Sequence, residues 1–257
     1  MPAADSPRRR RSDVSEPNEQ VTGLRLDQIS THVATLGDAE KFFVRYGRAV
    51  GGYLRAILQD PGATDEVMQE LVLALLRRGG VAKWPGKGRF RDYLKAAARN
   101  AAITHLRRTG RQPAAAELGE VADPHSAGSA ADRALLSEWQ SCLLDRVWRA
   151  LEGHERRTPG NICYTALKVF TEFPHEPSPR LAAIATQRTG HAVGAEAFRK
   201  QVSRARCLMA ELILTEAARG VIPPTADGVE AELHELGLWS YVEDHLPDDW
   251  RTRFFSA

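Results

Sequence analysis

The sequence predicts an all-α protein, and three observations carry that expectation. Apolar residues recur at helical spacing in nearly every segment between Pro- and Gly-rich breaks. No run alternates β-branched or aromatic residues with polar ones, as a half-buried strand would. Helix-end signals stand where the periodic segments stop, most clearly at Asp60-Pro61-Gly62, Gly79-Gly80 and Gly110. The breaks mark out two small helical domains joined by a flexible linker, the second containing a helix-turn-helix, and an acidic C-terminal helical extension. A length of 257 residues fits two small domains with tails and leaves no room for a third.

Residues 1–22 collect Pro, Ser and Glu around Arg8-Arg9-Arg10-Arg11 with few apolar side chains. Burial there cannot offset the entropy of ordering, so a disordered basic tail is expected. The first domain, 23–111, has a helix over 38–59 that would bury Phe42, Tyr46, Val50, Tyr53, Leu54 and Ile57. Gly47, Gly51 and Gly52 weaken it by about 1 kcal/mol each, so packing must hold it. Thr64 can cap a second helix with Asp65 and Glu66 in its first turn and Arg77 and Arg78 in its last. A third helix, 91–108, would bury Phe90, Leu94, Ala97 and Ala101, while Arg91, Lys95 and Arg99 repeat every four residues on another face.

Pro113, Gly119, Pro124 and Gly128 interrupt the pattern over 112–131, which reads as the linker. The second domain, 132–219, carries helices near 131–151, 161–173, 178–188 and 194–219. On the last, Phe198, Val202, Ala205, Met209 and Leu212 form a buried stripe, with Arg199, Lys200, Ser203, Arg204 and Arg206 off it. A short helix, a turn and a longer basic helix is the arrangement of helix-turn-helix DNA readers. The extension, 220–257, holds seven acids from Val229 onward against Arg251 and Arg253. Leu233, Leu236, Leu238, Trp239, Tyr241 and Val242 give it an apolar face.

The longest apolar run, Leu71 to Leu76, is six residues where a membrane helix needs about 20, so no membrane span is expected. The basic start is not followed by an apolar segment, as a secretory signal would be, and a cytoplasmic protein is expected. Cys142, Cys163 and Cys207 lack CxxC spacing and read as reduced thiols rather than metal ligands. There is no HExxH, GxSxG or phosphate-binding glycine loop, so neither an enzyme nor a cofactor or metal site is expected. His234, His245, Glu235, Glu243 and Asp244 could form an acid-base or metal cluster, but such residues are more often a wet helix face.

The formal charge of +2 says little about partners, whereas its placement says more. From Arg77 to Arg111 eleven basic residues face the single acid Asp92, a net of +10 in 35 residues. Such density repels itself unless it meets an anion, and a nucleic-acid backbone is the obvious one. Trp84, Phe90 and Tyr93 are interleaved with it, and an aromatic ring can receive an unstacked base for about 1–3 kcal/mol. The alternative is a solvated basic face with Phe90 and Tyr93 in the core.

The order of segments then becomes informative. Thr64-Asp65-Glu66-Val67-Met68-Gln69-Glu70-Leu71, Gly88-Arg89-Phe90-Arg91-Asp92-Tyr93-Leu94, Ala98-Arg99-Asn100 and Leu106-Arg107-Arg108 together resemble region two of bacterial RNA polymerase sigma factors of the extracytoplasmic-function (ECF) type. Phe198-Arg199-Lys200-Gln201-Val202-Ser203-Arg204-Ala205-Arg206 is similar to the recognition helix of region four in the same family. The resemblance spans about 38–215. Tyr93 stands where the family commonly has tryptophan, and Thr104 where an acid is common. The stretch 186–195 gives a longer helix-turn-helix turn than usual.

The resemblance implies a sigma factor that binds core RNA polymerase and directs promoter recognition and melting. Glu66, Gln69, Glu70 and Leu73 inherit the docking role on the clamp helices of the largest subunit. Lys87, Arg89, Arg91, Lys95, Arg99, Asn100, Arg107 and Arg108 match positions that grip the minus-ten element and capture a flipped base, an extrusion that costs a few kcal/mol. Arg199, Lys200, Ser203, Arg204 and Arg206 would contact the minus-thirty-five element, with this module also touching the polymerase flap. An anti-sigma factor is a further partner that the family admits and the sequence does not name. Two readings of the acidic extension stay open, a cover for the basic surfaces or a third packing helix with a solvated acidic side. Two rivals to the main reading also stay open: a stand-alone helix-turn-helix regulator that binds DNA without polymerase, and a regulatory protein that kept the fold but lost promoter opening.

Overall fold

The computed structural model describes residues 39–77, 87–110 and 129–255, with side chains over 45–74 in the first stretch. The basic tail, Gly79-Gly80, Trp84, most of the linker segment and the Phe42 side chain lie outside the described residues. The fold is all-α. Helices α1 (Ala39–Leu58), α2 (Pro61–Arg77) and α3 (Phe90–Arg108) come first, with the two-residue strand β1 (Gly88–Arg89) before α3. Then follow α4 (Ala130–Arg157), α5 (Cys163–Glu172), α6 (Ser178–Thr189) and α7 (Ala195–Ala218). Strand β2 (Val221–Ile222), α8 (Ala226–Glu235), α9 (Trp239–Val242), a 3-10 turn at Glu243–His245 and α10 (Trp250–Phe255) complete the chain.

Helix α1 buries Tyr46, Val50, Tyr53, Leu54 and Ile57, as its spacing predicts. One of its glycines sits where a neighbour comes close: a Cβ on Gly52 would meet Cγ of Glu138 at 3.2 Å. The glycines' propensity cost is met by packing against α2, α3 and α4. Two sequence expectations need correction. Helix α2 begins at Pro61, not after Thr64, because Asp60 is the cap: its Oδ1 accepts the Ala63 N–H at 3.1 Å. Thr64 is buried and turns its hydroxyl onto the Asp60 carbonyl. On α3 the fully buried stripe is Phe90, Leu94, Ala98 and Ala102, an i, i+4 row, and Ala97 and Ala101 lie at its edge.

Helix α4, 28 residues capped by Ser129, is the spine that joins the parts. Leu135, Trp139, Leu143, Val147 and Leu151 form its buried row. Its first half lies on α1, where Trp139 stacks on Tyr46 at 4.7 Å between centroids. Its second half meets α5 and α7 through Leu151, Cys163, Leu167, Ala205 and Leu208. Residues on either side of the 112–131 segment therefore share a core.

A second cluster of Ile162, Ala166, Val169, Leu181, Ala182, Ala185, Phe198 and Val202 binds α5, α6 and the first half of α7. Glu216, near the end of α7, pairs with Arg45 of α1 at 3.2 Å and with Arg146 of α4. The extension returns to the first module: β2 pairs antiparallel with β1, Gly88 opposite Ile222 and Arg89 opposite Val221. The Phe90 N–H donates to the Gly220 carbonyl at 2.8 Å. Val229, Leu233, Leu236, Leu238 and Val242 are buried, whereas Tyr241, assigned to the apolar face, is 70% exposed.

Candidate nucleic-acid and polymerase interface

The basic segment enters α3 through a strand. Pairing of β1 with β2 fixes the backbone at Arg89, so the first turn of α3 presents Arg89, Arg91 and Asp92 together. Phe90, between the two arginines, points the other way and is fully buried against Tyr46, with ring centroids 5.1 Å apart. Of the two readings of this ring, core residue rather than base platform is the one this packing gives. Tyr93 stacks on it at 6.0 Å and is half-buried. Trp84 is outside the described residues.

Several of the predicted DNA contacts already have partners within the chain. The Arg91 side chain is 4% exposed and donates from Nε and Nη2 to the two carboxylate oxygens of Glu232 at 3.1 and 2.9 Å. It also pairs with Glu235. Arg89 reaches Asp92 at 3.0 Å, Glu235 at 2.7 Å and Glu232 at 3.7 Å. Burial disfavours the Arg91 charge, but the hydrogen bonds and field of Glu232 and Glu235 outweigh it and raise its pKa further. Burial also pushes Glu235 up, and Arg91 and Arg89 more than reverse this, holding it below the ordinary carboxylate value. Lys95 pairs with the buried Asp132 of α4 at 2.8 Å, and Arg99 is half-buried. Lys87, Asn100, Arg107 and Arg108 are exposed.

Arg108 joins the two predicted sites. It donates to Glu66 at 2.5 Å and Glu70 at 2.8 Å, so a residue expected on DNA meets two expected on polymerase. All three are about half exposed, so solvent screens these pairs and they add little to stability. Gln69 is exposed, and Leu73 keeps 47% of its surface, large for a leucine on a packed helix. The outer face of α2 is thus a half-charged ridge with an apolar point on it.

Helices α6 and α7 form the expected short-helix, turn, long-helix arrangement. The turn is shorter than 186–195, because α6 continues through Thr189 and closes on Gly190 in the left-handed region at φ 73°. The Thr186 hydroxyl oxygen accepts the Val193 N–H at 3.0 Å and fixes the connection. Phe198 and Val202 anchor α7 in the core, leaving Arg199, Lys200, Ser203 and Arg204 exposed on the outer side. Lys200 pairs with Glu196 one turn back at 2.8 Å. Arg206 differs from the rest: its guanidinium lies 4.6 Å from the Phe170 ring centre and is half-buried, a packing position.

The sequence reading did not single out Glu232 or Asp132 as partners of these bases. An acidic count pointed to the extension as a whole, but no spacing rule names which acid meets which arginine across more than a hundred residues. Glu235, considered above beside His234, instead faces Arg89 and Arg91. Burial pushes the Cys163 thiol up to about 11, so it stays protonated at neutral pH. The three cysteines are free.

Residues 42–112 match the family model of sigma-70 region 2. The match takes in α2, β1 and α3, the elements that carry the ridge and the basic segment. It supports a sigma-70 family member, with core RNA polymerase and promoter DNA as partners, from a family of transcription-initiation factors rather than enzymes. No curated protein and no solved structure matches the chain. Among the described residues, no helix is long and apolar enough to cross a membrane.

Proposed function

We propose that the chain is a sigma factor of the ECF type, acting in the cytoplasm, with residues 132–219 serving as its region four. It binds core RNA polymerase through Glu66, Gln69, Glu70 and Leu73. It reads the upstream promoter element with Arg199, Ser203 and Arg204 on a helix-turn-helix, and engages the melting element with the basic face of α3. The observation that carries this reading is the coexistence, in one chain, of the region 2 match over 42–112 and an exposed basic row on the second helix of α6–turn–α7. Polymerase docking by the α2 ridge fits its exposed Leu73 among polar groups, since an apolar centre with a polar rim is how partner surfaces are built.

Run-off transcription with purified core polymerase on promoter fragments tests the proposal. Defined start sites that appear only when the chain is added support it. Sequence-specific duplex binding with no effect on polymerase would instead establish the stand-alone regulator. One observation favours that second reading: the α7 row is solvent-facing while Arg89 and Arg91 are engaged.

A further inference from the structure

We propose that the acidic C-terminal extension is an internal competitor of nucleic acid, with Glu232 and Glu235 occupying Arg89 and Arg91 in the place phosphates would take. The inference rests on the reading of α3 as a nucleic-acid surface.

Three features distinguish this contact from an ordinary packing helix. The charge balance is the first. Two guanidiniums face three carboxylates, Asp92, Glu232 and Glu235, so the cluster is more than neutralised and leaves no positive field for a polyanion. Geometry is the second. Both Glu232 oxygens accept from one Arg91 guanidinium, the same two-pronged match that guanidinium makes with a phosphate, so one ligand excludes the other. The third is how the extension is attached at this point. Two residues of strand pairing and the Phe90–Gly220 hydrogen bond form the backbone link. The helices that carry the buried Leu233 and Val242 pack on each other and on α7.

A buried ion pair is costly to break only when one partner is left bare. A phosphate arriving as the carboxylates leave keeps the arginines paired, and the freed glutamates return to water. Glu235 gives an approach route, since its side chain is 42% exposed at the rim of the cluster. A latch of this kind lowers apparent affinity by the fraction of molecules in which it is open. It does not touch the α7 row, so it acts on single-strand contacts and spares duplex contacts.

The test uses the full chain and two probes, fluorescein-labelled oligodeoxythymidine and a labelled duplex, read by anisotropy. Glu232→Gln with Glu235→Gln removes two charges at the latch. Glu243→Gln with Asp244→Gln removes two from exposed positions on the same extension and serves as the control. If the latch is open about one tenth of the time, the first variant binds the single strand roughly tenfold more tightly, the control changes it little, and duplex binding is unaltered by either. Should the double variant lose its fold by circular dichroism, Glu235→Gln alone, at the exposed rim, is expected to give a smaller gain of the same sign. Hydrogen exchange on the unaltered chain gives an independent reading: single strand should raise exchange at Phe90 and over 220–235. Equal gains in latch variant and control, or unchanged exchange at saturating single strand, overturn the latch while leaving α3 a nucleic-acid surface. Absence of single-strand binding in every variant overturns the reading of α3 as well.

Discussion

On β1 and the first turn of α3, the arginines meet carboxylates of the same chain, and Arg91 is nearly sealed from water. On the first half of α7, Arg199, Ser203 and Arg204 stand in solvent, with Phe198 and Val202 beneath them as anchors. Both stretches look alike in the sequence, as arginines spaced along an amphipathic helix. They differ because the extension folds back onto one and not the other. Charge density along a chain measures what could bind an anion, and three-dimensional pairing decides what is available to do so.

The largest effects come from removing what holds both regions in one unit. Trp139→Ala, which empties the stack on Tyr46, should cost about 3–5 kcal/mol of unfolding free energy, read from urea denaturation, and Phe90→Ala a similar amount. A loss below about 1 kcal/mol for Trp139→Ala would mean that α4 and α1 do not share a core in solution. Next comes a direct contrast of the two basic regions. Arg91→Ala removes both hydrogen bonds to the buried Glu232, leaving it only Arg89 at 3.7 Å, and should cost about 3 kcal/mol, seen as lost exchange protection over 220–235. Arg204→Ala, at the surface, should stay within about 0.5 kcal/mol of the parent. Equal destabilisation by the two would erase the distinction.

Binding sharpens the same contrast from the other side. Arg204→Ala should lower the salt dependence of duplex binding by about one unit of slope without altering stability. An unchanged slope would remove Arg204 from the contact.

Two smaller effects depend on pH. Burial raises the Glu211 pKa on α7, against a weaker opposing pull from Arg253. A carboxyl with a raised folded pKa contributes stability below its unfolded value that is lost as pH rises through the folded one. Glu211→Gln should therefore raise the thermal midpoint at neutral pH, and the gain should vanish in acid. Glu235 has the opposite sign. Its lowered pKa gives stability that is present above the ordinary value of 4.5 and lost as pH falls through the folded value. Exchange protection over 220–235 should decline across that acidic window, and Glu235→Gln should remove this part of the decline.

Much of the fold was legible because helices α1, α3 and α5–α7 announce themselves by period and by end signals, to within a turn, whereas α4 runs on to Arg157, well past its expected end at 151. Helix α2 began four residues earlier than its Thr64 cap suggested, because Asp60 and Thr64 are both good caps and only the tertiary burial of Thr64 separates them. The α3 stripe was misread by one position, since small alanines on all sides of that helix leave the apolar face poorly marked. The candidate contacts on α7 were legible as a face, except Arg206, whose place over Phe170 depends on where α5 packs. That the acidic extension could cover a basic surface was one of two open readings, but which acids meet Arg89 and Arg91 was not legible, because they lie about 140 residues downstream and only folding brings them there.

Association of the full chain with core RNA polymerase, followed by sedimentation across a range of salt, tests the central claim most directly. The account predicts a complex with the unaltered chain, weakened by Gln69→Ala with Glu70→Ala and retained by Arg204→Ala. Failure to form that complex at any ionic strength, with the chain folded and binding DNA, would contradict it.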